Sequence, residues 1–106
     1  MKLMELNPYF VDRKTDSEYT MVSTPGDGIT FLCPKCFLKN GGARGTHSIT
    51  CWQPHVPQTT YPIPGRWNFI GTGYNDLTLK NGSSSIALTT GCKAHFYIQN
   101  GEITFA

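Results

Sequence analysis

The chain has 106 residues, of which 15% are charged, and carries a formal net charge of +2. That length accommodates one hydrophobic core rather than two, so residues 1–106 are expected to form a single domain. Charged residues make up about 25% of ordinary domains, so this surface must draw on Thr, Ser, Asn and Gln, which favours strands over helices, and +2 is too small to point to a nucleic-acid partner by charge alone.

"MKLMELNPYF" has no apolar core of the kind a secretion signal needs, and no apolar run approaches the roughly 18 residues of a membrane span. The expectation is a cytoplasmic protein without membrane association. "YFVD", "EYTMVS" and "ITFL" are short β-branched or aromatic runs that read as strands, with "PGDG" a turn before the third. "LCPKCF" interrupts the pattern with two cysteines, and "GTHSITCW" reads as a further strand.

Residues 53–66, "QPHVPQTTYPIPGR", contain four prolines and exclude both a helix and a central strand. They predict a long extended loop over the surface. "RWNFIG" resumes extended structure before the turn "GTGYND". The last third offers four strands, "DLTLK", "SIALTT", "AHFYIQ" and "EITFA". The Asn-Gly pairs in "KNGS" and "QNGE" separate two pairs of them, and Asn-Gly is the strongest short hairpin signal. No stretch of a dozen residues combines 3.6-residue apolar spacing with freedom from Gly and Pro, so no helix beyond a turn or two is expected.

The cysteines carry the chemistry. Two disulfides would need an exporting context, whereas Cys33-x-x-Cys36 and Cys92-x-x-His95 have metal-ligand spacing and each pair adjoins a strand. Two such pairs brought together make a tetrahedral Cys₃His zinc site. Cys33, Cys36, Cys92 and His95 are therefore the expected ligands of a structural zinc. The fold expected is all-β: a small zinc-ribbon-like domain with a C-terminal antiparallel meander and a long proline-rich loop.

Cys33, Cys36, His47 and Cys51 form a competing local set. Along a strand His47 and Cys51 lie about 13 Å apart, too far for ligands of one ion, which must sit within about 4 Å of each other. His47 is thus expected to remain unligated, near Arg66 or Trp67. His47, Trp52, Arg66, Trp67 and Asp76 are the candidate partner- or ligand-binding residues, since Trp stacks rings and Arg grips anions. The alternatives make Trp67 a core anchor and Arg66–Asp76 a surface ion pair.

No catalytic residue is assigned. An enzyme would need a pocket around His47, Cys51 and Arg66, but a buried Cys is more often a small hydrophobe than a nucleophile. Lys35, Lys39, Arg44 and Lys93, beside Phe37 and Phe96, leave a nucleic-acid-binding zinc ribbon as a second alternative.

"FLCPKCF", "GTHSITCW", "PGRWNFIGTGYNDLTL" and "GCKAHFYIQNGEI" together resemble small proteins of tailed phages and prophages. The C-terminal part is also similar to a broader bacterial zinc-binding domain family of unknown function. The resemblance implies Cys33, Cys36, Cys92 and His95 as shared metal positions. It also implies an accessory protein that binds a host protein in the host cytoplasm, including a factor of antiviral defence.

Overall fold

This computed structural model describes residues 1–63, 65–80, 85–89 and 91–106, and among them the regular structure is nine strands, one short α-helix and a 3₁₀ turn at Leu3–Leu6. β1 (Tyr9–Thr15), β2 (Glu18–Val22), β3 (Gly28–Leu32) and β4 (Ser48–Trp52) form an antiparallel sheet in the order β2-β1-β3-β4. Helix α1 (Pro34–Asn40) follows β3 directly. β5 (Asn68–Ile70) and β6 (Thr78–Lys80) make a separate two-stranded ladder. β7 (Ser85–Ala87), β8 (His95–Gln99) and β9 (Glu102–Phe105) make the C-terminal antiparallel meander. The all-β expectation holds, and seven residues of α1 stay within the expected two turns. One detail differs: "DLTLK" supplies β6, which leaves the meander to pair with β5.

Both faces of the first sheet are covered, which explains why β3 reads as a near-continuous apolar run rather than an alternating one. One face presents Phe10, Ile29, Phe31, Ile49 and Cys51 to Leu77, Leu79, Ile86, Phe96, Ile98 and Ile103 from the later strands. Phe31 meets Phe96 edge to face with ring centroids 6.0 Å apart. Each such fully buried side chain contributes about 1.5–3 kcal/mol. The opposite face carries Val11 and Trp52, which pack with Val56 of the proline-rich segment. Gly28 is required there, because a Cβ on it would lie 2.5 Å from the Trp52 ring.

Among its described residues the proline-rich segment meets a strand only at its end, where Arg66 bridges Trp52, and five of its carbonyls are collected by one side chain. Arg66 is 7% exposed. Its Nε donates to Val56 O at 2.9 Å, Nη1 to Pro62 O at 2.9 Å and Gly65 O at 3.3 Å, and Nη2 to Thr60 O at 2.9 Å and to Pro57 O. A fixed fork of five N–H donors suits this task as no other side chain does. Asp16 fastens the same segment to the β1–β2 hairpin, accepting from Thr59 Oγ1, Thr60 Oγ1 and Arg13 Nη2.

At the far end of the chain the "QNGE" turn forms as expected. Asn100 and Gly101 have φ of 49° and 74°, the left-handed pair of a type I′ turn, and Gln99 faces Glu102. The Asn-Gly of "KNGS" lies outside the described residues.

Candidate metal centre

The centre is assembled by three local devices. Cys33 ends the β3 segment in extended conformation and is the N-cap of α1, with Pro34 in its first turn. Phe37 N donates to Cys33 O at 2.9 Å, closing the first helical turn. That turn carries Cys36 round to the same side as Cys33, as i,i+3 spacing requires. Cys33 and Cys36 thus sit on a helix start at the end of a strand. Gly41, in left-handed conformation at φ 69°, ends the helix by donating to Leu38 O.

The second device is strand register. Cys33 N donates to His47 O at 2.8 Å, so these two residues form a hydrogen-bonded antiparallel pair one step beyond β3 and β4. Residues directly opposite in such a pair project their side chains to the same face, with Cα atoms about 5.5 Å apart. The third device is the turn between β7 and β8. Leu88 N donates to Ala94 O at 2.9 Å, and Lys93 adopts a left-handed φ of 54°, which presents Cys92. Lys35 Nζ, from α1, donates to Cys92 O at 2.6 Å and ties this turn to the helix.

Cys33, Cys36, His47 and Cys92 consequently bring one ligand atom each within 4.8 Å of one another. A zinc tetrahedron with bonds of about 2.3 Å to sulfur and about 2.0 Å to nitrogen has edges of about 3.8 Å (S···S) and about 3.5 Å (S···N). Cys33 Sγ lies 3.7 Å from Cys92 Sγ, and His47 Nε2 lies 3.4 Å from the same sulfur. The donor set and its spacing fit such an ion.

This corrects the expected ligand set, in which His95 was the nitrogen donor and His47 stood apart. β8 begins at His95, which pairs with Ala87 and whose carbonyl accepts from Ala106 N. Strand alternation then sends Phe96 into the core and leaves His95 exposed, its ring 6.3 Å from that of Tyr97. The C-x-x-H spacing therefore does not close on one ion. Of the local set, three of the four residues, Cys33, Cys36 and His47, converge, and Cys51 does not. Cys51 is fully buried on the core face of β4.

The thiols differ in acidity. Burial pushes Cys33 up to about 11. At Cys92 burial works in the same direction, but hydrogen bonds from His47, the Ala94 backbone, Cys36 and Cys33 outweigh it and bring the thiol down to about 6. Cys92 is thus the more acidic of these two thiols, and a bound cation would favour the thiolate form of its sulfur ligands. Burial alone drives the Cys51 thiol strongly upward, so it stays protonated and inert.

The remaining candidate residues separate. Trp52 is 2% exposed, with Nε1 donating to Tyr61 O at 2.8 Å. Arg66 is occupied with loop carbonyls, and the Arg66–Asp76 ion pair does not form. Asp76 instead caps its own turn, accepting from Thr72 N, Thr72 Oγ1 and Gly73 N, which holds its carboxyl below the usual range. Trp67 is half-buried, its Nε1 donating to Ser85 O at 3.3 Å. Phe96 is fully buried, so the basic and aromatic groups around the two cysteine segments do not interleave on one surface.

His47, Cys92, Arg66 and Trp67 do share one feature, a cleft of about 950 Å³ between β4, the end of the proline-rich segment and β7. No helix among the described residues is long and apolar enough to cross a membrane. No family model, curated protein or solved structure matches the chain.

Proposed function

We propose that the Cys₃His cluster holds one structural zinc ion and that the protein is a non-catalytic binding module whose partner is a protein. The observation that carries this is the donor set, three sulfurs and one nitrogen within 4.8 Å from segments distant in sequence. Four protein ligands complete a tetrahedron and leave no position for water, so the ion contributes folding energy, on the order of 10 kcal/mol, rather than chemistry. Burial of Cys51 removes the nucleophile that an enzymatic reading would use.

The resemblance to phage proteins supports a host protein as the partner and the host cytoplasm as the site of action. The small net charge of +2 argues against a nucleic acid. Metal analysis of the purified protein is expected to give one zinc per chain, and chelation to abolish the cooperative melt. Full zinc occupancy with an unchanged melting temperature in Cys92→Ser would overturn the four-ligand assignment. Affinity purification from host lysate, with the zinc-free chain as control, tests the partner.

A further inference from the structure

The open edge of β4 has a specific hydrogen-bonding pattern. Cys33 N donates to His47 O, so odd-numbered residues of β4 bond to β3 and even-numbered ones point their backbone groups away from it. Trp52, even-numbered, confirms the parity: its N–H donates to Gly65 O at 3.0 Å and its carbonyl accepts from Trp67 N at 2.9 Å. The chain itself thus adds a short parallel strand to this edge, through the Trp52–Arg66 bridge. That addition stops after one rung. Among the described residues, the outward N–H and C=O groups of Ser48 and Thr50 have no partner, and both residues line the cleft.

The rest of the cleft suits an extended chain. Opposite β4 stand Ile86 and Leu88, and at the mouth Tyr61 and Ile63 are 76% and 45% exposed. None of the described lining residues is acidic. Beside the end formed by His47 and Cys92, three thiolates against one Zn²⁺ would give −1, and Lys35, whose Nζ donates to Cys92 O, with Lys93, next to Cys92 in the chain, would bring that to +1. A backbone edge recognises main-chain amides at a two-residue repeat, which a sugar–phosphate chain does not offer.

We propose that this cleft is a docking site for an extended peptide segment, which adds as a strand along Ser48–Thr50 and places an acidic side chain at the metal end. The inference rests on the binding-module reading and names where and how the partner is held.

The test pans a displayed library of random twelve-residue peptides on the zinc-loaded protein. Synthesised binders are expected to carry Asp or Glu and to slow amide exchange at Ser48 and Thr50 at least tenfold. Thr50→Pro removes an outward donor without breaking the β3 ladder, and should weaken these peptides at least tenfold while keeping its zinc. Should that variant fail to fold, amide exchange in the unsubstituted protein decides alone. Failure to recover binders, or binders that leave the two amides unprotected, would overturn the cleft assignment. Protection of those amides by a twelve-nucleotide single strand instead of a peptide would overturn it too. Peptides protecting another face would leave the module reading standing while removing this one.

Discussion

Replacing Arg66 by alanine removes the buried cation that the proline-rich segment folds around. The guanidinium donates to carbonyls of Val56, Pro57, Thr60, Pro62 and Gly65, and burial lowers its pKa. A hydrogen bond to a charged group contributes about 1.5–3 kcal/mol, and a buried acceptor left without a donor costs about 1–3 kcal/mol. Five carbonyls do not each lose the full amount, because a surface segment can open and hydrate them. Opening, however, also uncovers Trp52 and Val56, each worth about 1.5–3 kcal/mol of burial. The expected loss is about 3–5 kcal/mol, enough to lower a melting temperature by well over 10 °C in a domain of this size. Urea unfolding gives the loss, and limited proteolysis shows whether cleavage moves into residues 53–65. Arg66→Lys should recover little, since an ammonium cannot span the fork. A loss below about 1 kcal/mol in Arg66→Ala, with the segment still resistant to protease, would refute this account of the loop.

Two further outcomes follow from groups elsewhere in the fold. Cys51→Ala should cost about 1–2 kcal/mol in urea unfolding through lost packing while leaving zinc content unchanged, and Cys51 should resist alkylation in the folded protein. Asp16 has its pKa lowered, first by the hydrogen bond from Arg13 and then by those from Thr60 and Thr59. A depressed folded-state pKa means that its stabilisation is present above the unfolded value of about 3.9 and fades as pH falls through the folded one. Asp16→Asn should therefore melt below the unsubstituted protein at pH 7, and the two curves should converge as pH falls through the lowered folded-state value.

Much of the sheet architecture was legible because strands and turns announce themselves locally. "ITFL" and "SITCW" are β-branched or aromatic, and "QNGE" supplies the two left-handed residues a type I′ turn needs. β6 was legible as a strand but not in its pairing, since nothing local in "TLK" distinguishes a partner at Asn68–Ile70 from one in the meander. Three of the four clustered side chains, Cys33, Cys36 and Cys92, were legible from spacing. The fourth was not, because it depends on register: His47 joins the site by facing Cys33 across an antiparallel pair, while His95 is removed by the alternation of β8. The local finger-like spacing that includes His47 was the available signal, and its incompatibility with Cys51 obscured it. Arg66 reads in the sequence as a residue that grips an anion or pairs with Asp76, and it does neither with the carbonyls it binds. Its role was hidden because its partners are backbone carbonyls, which leave no trace in residue identity.

The central claim is that His47 completes the metal site, and zinc content per chain in His47→Ala beside His95→Ala tests it most directly. The geometry predicts that His95→Ala keeps one zinc per chain after dialysis against a mild chelator. His47→Ala, reduced to three sulfurs, should lose most of its metal under the same conditions. Retention of zinc by His47→Ala with loss from His95→Ala would contradict the assignment and return the nitrogen ligand to the head of β8.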